Sequence, residues 1–324
     1  MRFSPFQVIP MPKSRESWLK SRSAYIGASD IGGIILDADS QPLHPYKSPH
    51  EVWLEKTGRK VFEGNERTDM GLLLEPTIVQ LFKSRNPGIR VKATGTHYGE
   101  KPHHAANPDR LILGRVSQCL GTPLIVPDTN GIKAILQLKS AGFYSAKDFG
   151  VEGTDEVPLW YAAQVQWEMY CTGADLCVLA LLYDTHLYHQ FLIWRDETLI
   201  NQLKGWADSF WAKYMATDHE PPMTGHGKDR EWLNGAWEPK NNEGRIYMPQ
   251  ELEADIDAIV LELPRMERFQ QIIEGRKNRI KAAMGESALM DTPYGLITWK
   301  ADKNGRRSLN LKGIAAPETA QGAA

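Results

Sequence analysis

Asn107-Pro108-Asp109 and Gln137-Leu138-Lys139 are two short segments that lie on either side of strand-like residues. Strands are predicted over Leu111 to Val116 and Ile132 to Leu138, with Gly, Pro and Asp turns around them. A Pro-Asp step followed by acid-x-Lys on an apolar strand is the layout of a two-carboxylate metal site with an assisting lysine. Position 137 departs from this layout, because the sequence has Gln where the layout needs Glu or Asp.

The sequence around these segments alternates between helical and strand-like patterns. Apolar residues at helical spacing and capping residues predict helices over 17–22, 31–35, 48–58, 65–85, 158–172 and 196–214. Further strands are predicted over 89–96, 176–183 and 188–194. Pro76 is expected to kink its helix just after Glu75. These elements predict an α/β (α+β) fold, with a mixed central sheet flanked by helices.

Composition divides the chain into a main domain, a linker, an appendage and a tail, at 1–215, 216–246, 247–314 and 315–324. The linker is predicted from its Pro, Gly and Asn content. The appendage is predicted to be helical, with an interruption near Pro264, followed by a β-hairpin at Asn304-Gly305. The Ala- and Gly-rich tail is predicted to be disordered.

The overall composition is that of an ordinary globular protein. Of 324 residues, 42% are hydrophobic and 24% charged, and the formal net charge is only −2. This balance argues against a protein that coats nucleic acid, but not against an enzyme with its basic groups in one cleft. Three cysteines form no C-x-x-C pair and are expected to be free thiols in a reducing cytosol: Cys119, Cys171 and Cys177. Cys177 to Tyr183, the longest apolar run, is too short to cross a membrane.

The residue types of the two segments, together with Glu75, suit a divalent-cation site for phosphodiester hydrolysis. That reaction needs a cation to neutralise the phosphate and lower the pKa of the attacking water. Mg²⁺, with Mn²⁺ as a substitute, prefers hard oxygen ligands. Candidate ligands are the side chains of Glu75, Asp109 and Gln137 and the backbone carbonyl of Leu138. Residues 137 and 139 share one face of the strand, which would place the Lys139 ammonium beside the bound water.

Each of these signals is common by itself. A Pro-Asp step is ordinary turn chemistry, a Lys on a strand usually keeps its charge in solvent, and a Glu before a helical Pro is usually solvated. Only their order along the chain makes the combination informative.

Other cofactor sites are disfavoured. His97, His103 and His104 have no Cys or carboxylate at zinc-site spacing, so loop histidines are the favoured interpretation. Three scattered cysteines exclude an iron–sulfur cluster held by four. Gly27 to Gly33 lacks the Lys-Ser/Thr of a nucleotide-binding loop, so ATP is not implied.

Six stretches resemble the PD-(D/E)XK nucleases, and within them the YqaJ or lambda-exonuclease family of phage recombination enzymes. They occur in the family's order between about residues 15 and 212, and the segment Tyr161-x-x-Gln164-Val-Gln is the most distinctive. The stretches are SWLKSRSAYIGASDIGG, KTG, MGLLLEP, NPDRL, LQLKS and PLWYAAQVQWEMYCTG.

The resemblance implies roles for the site residues. Glu75, Asp109 and position 137 would hold one or two Mg²⁺ ions, and Lys139 would orient the nucleophilic water. Gln164 would face the active site with Tyr161 and, like Asn107, would contact DNA. From the residues alone, Tyr161, Gln164 and Glu168 form a polar helical stripe, and such stripes are commonly just solvated.

Arg22 and Ser29 match family positions that bind the 5′-phosphate of the degraded strand. The bidentate guanidinium of Arg22 suits a phosphate, and Ser29 lies near a predicted helix start where amides point outward. Without the resemblance, Arg22 would be interpreted as a surface residue and Ser29 as a helix N-cap.

The resemblance further implies 5′-to-3′ digestion of one strand of linear double-stranded DNA, leaving a 3′ overhang for a single-strand annealing recombinase. It implies a ring-shaped homotrimer with DNA through its centre, from a phage or prophage and located in the bacterial cytosol. Two alternatives stay open: a restriction-type endonuclease and a catalytically silent DNA-end-binding protein.

Gln137 leaves three interpretations of activity. The residue could be a deliberate change from Glu that traps substrate, a natural loss of activity, or part of a working variant in which a nearby acid compensates. Loss of one electrostatic contact typically slows a reaction about 10²- to 10³-fold. The sequence therefore predicts an exonuclease whose activity in this form is reduced or absent.

Overall fold

The computed structural model describes residues 3–12, 14–61, 64–113, 133–142, 147–184, 186–236 and 247–311. The chain forms two compact units, Met1–Pro239 and Lys240–Ala324. None of the helices in these described ranges is long and apolar enough to cross a membrane.

The first unit is built on a five-stranded mixed sheet with the strand order β2-β5-β6-β7-β8. The strands β6 and β7 pair in parallel, and the other neighbours are antiparallel. β7 is buried along nearly its whole length, as expected for a continuous apolar strand covered on both faces. The strands are β2 Arg90–Lys92, β5 Arg110–Leu113, β6 Ala134–Ala141, β7 Leu176–Tyr183 and β8 Leu187–Trp194.

Seven helices of the described residues belong to the first unit. They are α1 Arg15–Arg22, α2 Ala28–Ile34, α3 Pro49–Lys56, α4 Glu66–Arg85, α5 Leu159–Thr172, α6 Glu197–Phe210 and α7 Gly227–Ala236. A π-helical turn, Trp211–Met215, extends α6. A small second sheet has the order β1-β3-β4, with β1 Val8–Ile9, β3 Thr96–Tyr98 and β4 Ala105–Ala106.

The helices form layers on both faces of the central sheet. On one face, Ile78 and Phe82 of α4 pack in a cluster with Leu136 and Leu138 of β6. On the other face, α5 packs against the sheet, and its opposite side contacts α2 and α6. A mixed sheet between helices confirms the predicted fold class. It also gives α5 a central position that is buried on most sides.

Some predicted elements differ from the observed ones. The single strand predicted over 89–96 is two strands, β2 and β3, which belong to different sheets. Helix α4, in contrast, spans Pro76 as predicted, and the kink after Glu75 stays a prediction. The predicted strand residues 114–116 and 132 lie outside the described part of the chain, as does Cys119.

The segment predicted as a linker, 216–246, contains a helix. Asp229 of α7 is buried, and its carboxylate accepts hydrogen bonds from the Thr224 backbone and hydroxyl at 2.7 and 2.6 Å. The same carboxylate accepts a hydrogen bond from Ser48, the N-cap of α3. These contacts fasten the segment to the first unit, whereas residues 237–246 lie outside the described ranges.

The second unit contains one long helix and a three-stranded antiparallel sheet. Helix α8 Glu253–Met284 runs through Pro264, so the predicted interruption is wrong. The sheet consists of β9 Leu289–Thr292, β10 Gly295–Ala301 and β11 Arg307–Asn310. The predicted turn at Asn304-Gly305 is present, with Gly305 at φ +78°. The predicted disordered tail, 315–324, lies outside the described residues.

Candidate active site

Asp109 lies directly before β5 and is held against β6. Its Oδ2 accepts a hydrogen bond from the backbone N–H of Leu138 at 2.7 Å. The two strands are antiparallel, with Arg110 opposite Leu136. This pairing places the carboxylate of the Pro-Asp step beside Gln137, Leu138 and Lys139, as the sequence predicts.

Gln137 and Lys139 lie on the face of β6 that contacts α5. Side chains alternate along a strand, and Ile135 on this face packs in a cluster with Val165 and Met169 of α5. Gln137 is buried, with 4% of its surface exposed. Its Oε1 has no hydrogen-bond partner within the described residues.

A chain of hydrogen bonds connects β6 with α5. Lys139 Nζ donates to Gln164 Oε1 at 2.9 Å, and Gln164 Nε2 donates to Glu168 Oε1 at 3.0 Å. Lys139 Nζ also lies 4.8 Å from the centroid of the Tyr161 ring. The structure therefore brings together Lys139, Tyr161 and Gln164, and it adds Glu168.

Three carboxyl groups of this site have raised pKa values. For Asp109, burial raises the pKa and outweighs the opposing effects of Lys139 and the Leu138 N–H. For Glu75, burial raises the pKa most, and the negative charge of Asp109 raises it further. For Glu168, burial and then Asp109 raise the pKa to about 8. Asp109 thus lies within electrostatic reach of both glutamates.

This donor set fits a divalent cation. Three buried or half-buried carboxyl groups offer hard oxygens, the ligand type that Mg²⁺ prefers. One carboxylate oxygen, Glu168 Oε2, has no hydrogen-bond partner within the described part of the chain. A cation would offset the mutual repulsion that Asp109 exerts on the glutamates. The predicted residues that would hold it are Glu75 and Asp109, with Gln137 beside Asp109.

A basic pocket contains the two predicted phosphate-binding residues. Arg22 Nη2 donates to Ser29 Oγ at 2.7 Å, and the guanidinium lies 4.8 Å from the Trp18 ring centroid. The cavity has a volume of about 500 Å³. It is lined by Leu19, Lys20, Arg22, Ser23, Ser29, Lys47, Glu55, Lys56, Thr57, Gly58, Lys60 and Val61.

A fully buried aspartate, Asp30, organises the cations of this pocket. Its Oδ1 lies 3.1 Å from Lys47 Nζ and 3.6 Å from Arg22 Nη2, and its Oδ2 lies 2.5 Å from Lys56 Nζ. The same Oδ2 accepts the Gly27 N–H at 2.9 Å. Gly27, rather than Ser29, is the N-cap of α2. The Ser29 hydroxyl is therefore not used as a cap.

The electrostatics of the pocket favour an anion. Burial would raise the pKa of Asp30, but the cations of Lys56, Lys47 and Arg22 outweigh it and hold the pKa well below its usual value. Burial lowers the pKa of Lys56 to about 8, although Asp30 opposes this. Around Asp30, with Glu55 bound to Lys47, three cations face two carboxylates, which leaves this cluster with one surplus positive charge.

His44 connects the two sites electrostatically. Burial, followed by the positive charges of Lys47 and Lys139, lowers the pKa of His44 to about 4. Lys47 belongs to the basic pocket and Lys139 to the carboxylate site. A neutral histidine whose Nδ1 accepts the Tyr46 N–H at 3.1 Å thus lies within reach of both.

Asn107 has a different environment from the one predicted. Its Oδ1 accepts from Thr96 Oγ1 at 2.7 Å, and its Nδ2 donates to the Tyr25 hydroxyl at 2.9 Å. Both polar groups of the side chain are therefore engaged inside the protein, which gives Asn107 a structural role. DNA contact by this side chain stays a prediction.

A separate cluster of His103, His104 and Asp208 has its potential ligand atoms within 4.8 Å of one another. Each histidine donates from Nε2 to Asp208 Oδ1, at 2.9 and 3.0 Å. Lys101 donates to the other oxygen at 2.7 Å. The sequence missed Asp208 because it lies far along the chain on α6.

Three residues of the basic pocket and its buried aspartate were not singled out as site residues from sequence: Lys47, Lys56 and Asp30. Lys56 stands in the KTG stretch and Asp30 follows Ser29, so the matched stretches already contained a signal for both. Glu168 was recognised only as part of a polar stripe. Its burial depends on α5 lying between the sheet and the helices α2 and α6, which helical periodicity cannot reveal.

The mixed fold, the carboxylate site and the basic pocket lie within the part of the chain that has recognisable relatives. Residues 17–175 match the sequence profile of the YqaJ-like viral recombinase domain. This part of the chain belongs to that family.

Individual relatives are more distant. YqaJ of Bacillus subtilis (strain 168), described as an uncharacterized protein, is 28% identical over 289 residues, which is 88% of this chain and 81% of YqaJ. The alkaline exonuclease LHK-Exo from Laribacter hongkongensis is 19% identical, with a TM-score of 0.46, over 68% of this chain and 97% of its own. A phage-related exonuclease from Haemophilus somnus 129PT is 16% identical, with a TM-score of 0.42, over 60% and 96% of the two chains.

Proposed function

We propose that this protein is a Mg²⁺-dependent 5′-to-3′ exonuclease that degrades one strand of linear double-stranded DNA. The observation that carries the proposal is the assembly around Leu138. Its N–H binds the Asp109 carboxylate, while the next residue, Lys139, binds Gln164. A chain that matches a family described as a viral recombinase domain thus has a carboxylate and a lysine together at β6, the central strand of its five-stranded sheet.

The residues of the site have separate roles in this proposal. When bound, the cation would neutralise phosphate charge and lower the pKa of a water molecule. Asp109 and Glu75 supply carboxylate oxygens for it. Lys139, held by Gln164 and Tyr161, places a positive charge next to the reacting phosphate, where negative charge develops.

The basic pocket would bind the 5′-phosphate of the strand being degraded. Arg22 and Ser29 are hydrogen-bonded to each other and line a cavity with surplus positive charge. A terminal phosphate carries more negative charge than an internal one and would bind to the Arg22 side of this cavity. Anchoring the terminus there would fix the polarity of digestion.

Digestion of three duplex substrates tests the proposal: a 5′-phosphorylated linear duplex, a 5′-hydroxyl linear duplex and a closed circle, each with Mg²⁺. We expect degradation of the linear duplexes, faster with the phosphate, and none of the circle. The wild type and Gln137→Glu are assayed together, so that the outcome does not depend on the missing charge at 137. Cutting of the circle would identify an endonuclease, and no cutting by either form would refute a nuclease.

The remaining consequences concern products and partners. We propose that the 3′ overhang left by digestion is handed to a single-strand annealing recombinase, and that three copies of the chain form a ring around the duplex. Light scattering of the purified protein should give the mass of three chains. A mass of one chain would contradict the ring and leave the exonuclease proposal intact.

A further inference from the structure

Two buried oxygen atoms in the candidate active site have no hydrogen-bond partner in the described part of the chain. They are Oε1 of Gln137 and Oε2 of Glu168, and these residues are 4% and 1% exposed. A buried acceptor without a donor costs about 1–3 kcal/mol, and more when it is charged. Such atoms in a native protein call for a specific partner.

The two side chains lie on facing surfaces. Gln137 projects from β6 toward α5, on the same face as Ile135 and Lys139. Glu168 projects from α5 toward β6, because its Oε1 is joined through Gln164 to Lys139. The hydrogen-bond chain uses only one carboxylate oxygen of Glu168, which leaves the other, Oε2, without a partner in the described part of the chain.

The charge of the site gives a reason for this arrangement. The layout of a two-carboxylate site with an assisting lysine requires an acid at position 137, and this chain has a neutral amide there. The adjacent helix carries a buried acid, Glu168, which is joined through Gln164 to Lys139. Among the described residues only one other glutamate is buried, Glu51, and its carboxylate is bound to Lys60 at 2.9 Å.

We propose that Glu168 is a ligand of the divalent cation and supplies the negative charge that position 137 lacks. The acid is provided by α5 instead of β6, and the Gln137 form is then a working enzyme rather than an impaired one. This assignment rests on the proposed function, because it presumes that the carboxylate site binds a cation.

Isothermal titration calorimetry tests the assignment. Mn²⁺ is titrated into the full-length, metal-free protein in the absence of DNA, and the dissociation constant is measured. We expect Glu168→Gln to weaken Mn²⁺ binding about tenfold or more, a typical effect of disturbing a metal site. The double variant Gln137→Glu/Glu168→Gln, which returns the acid to the strand, should bind within about threefold of the wild type. Glu51→Gln, at the other buried glutamate, should bind like the wild type.

Two results would overturn the assignment. One is Mn²⁺ affinity of Glu168→Gln equal to that of the wild type. The other is a double variant that binds no better than Glu168→Gln. If Glu168→Gln does not fold, judged by its circular dichroism, Glu168→Asp takes its place, because it keeps the acid and shortens the side chain. We expect it also to weaken Mn²⁺ binding, and an affinity equal to that of the wild type would overturn the assignment.

The same variants separate this assignment from the proposed function. If the wild type degrades linear duplex but Glu168→Gln binds Mn²⁺ as tightly as the wild type, the role of Glu168 is overturned and the exonuclease proposal stands. Weaker Mn²⁺ binding in Glu168→Gln, with no degradation by any form, would refute the exonuclease and leave Glu168 as a cation ligand.

Discussion

Lys139 is a residue whose position depends on partners from a different element. Its ammonium binds Gln164 and lies against the Tyr161 ring, so the charge is held in one place rather than left mobile in solvent. A preorganised charge contributes to catalysis without reorganising during the reaction.

Replacing Lys139 by Met should therefore remove activity without removing DNA binding. We expect the rate on linear duplex to fall about 10²-fold or more, since one preorganised electrostatic contact is lost. Digestion rates and gel-shift affinities measure the two effects. The control is Lys133→Met, because Lys133 bonds the Thr172 carbonyl and not the site. A similar loss of rate in both variants would contradict the role of Lys139.

Arg22 should determine the preference for a 5′-phosphate. Arg22→Gln removes a charged hydrogen bond of about 1.5–3 kcal/mol, so the rate on 5′-phosphorylated duplex should fall about tenfold or more. The rate on 5′-hydroxyl duplex should stay the same. Arg59→Gln is the control, because Arg59 is exposed and paired with Asp218. Equal losses on both substrates would show that Arg22 acts elsewhere.

Individual site residues could be predicted from the sequence only where they belong to a short motif of neighbouring residues. Asp109 and Lys139 were found because a Pro-Asp step and a strand lysine are short patterns, and the backbone of Leu138 joins them directly. Asp30 and Lys56 could not be paired from sequence, because their contact requires α2 and α3 to pack together. The burial of Glu168 could not be predicted from sequence either, since an acid on a helix is usually solvated.

At the scale of elements, helix α5 links the sheet to the outer helices. It ends at Gly173, which has φ +64° and whose N–H bonds the Met169 carbonyl. Only glycine adopts this left-handed conformation at little cost. Gly173 therefore determines where α5 ends and the chain turns toward β7.

Gly173→Ala should therefore destabilise the protein by about 1 kcal/mol, from the cost of a left-handed alanine. Gly205→Ala offers a matched comparison within α6, where a new methyl group would meet nothing within 4 Å. There the substitution should stabilise by about 0.5–1 kcal/mol, because alanine favours a helix. Urea unfolding of both variants measures the difference, and the same sign for both would contradict the explanation.

Helices and strands whose apolar residues recur at regular spacing could be predicted from the sequence. Elements that depend on contacts with distant residues could not. The strands β6, β7 and β8 and the helices α4 and α5 follow from apolar spacing. α7 was hidden, because its sequence GKDREWLNGA is polar and depends on Asp229 binding Thr224. The continuous helix through Pro264 was missed because a proline usually interrupts the hydrogen bonds of a helix.

At the scale of the whole molecule, buried histidines should make stability depend on pH. Burial lowers the pKa of His104 to about 4, from 6.5 in an unfolded chain. Between these values the unfolded state holds a proton that the folded state lacks. Stability contributed by His104 is therefore complete above pH 6.5 and is lost as the pH falls toward 4, at about 1.4 kcal/mol per pH unit.

Comparison with His104→Gln isolates this contribution from other titrating groups. The difference in stability between wild type and variant should shrink by about 1.4 kcal/mol per pH unit below pH 6.5. Urea unfolding at pH 7, 6 and 5 measures it. His186→Gln is the control, because His186 is exposed. A difference that does not change with pH would contradict a neutral, buried His104.

The buried Asp30 cluster has a consequence for ionic strength. Lys56 and Lys47 have side chains only 4% and 18% exposed, so dissolved ions screen them poorly. Contacts of surface lysines with duplex phosphates weaken steeply as salt rises. We therefore expect affinity for the duplex to fall between about 50 and 200 mM salt, while the ratio of rates on 5′-phosphorylated and 5′-hydroxyl ends stays nearly constant. A protein of this kind would recognise a broken end under conditions in which it barely holds the rest of the DNA.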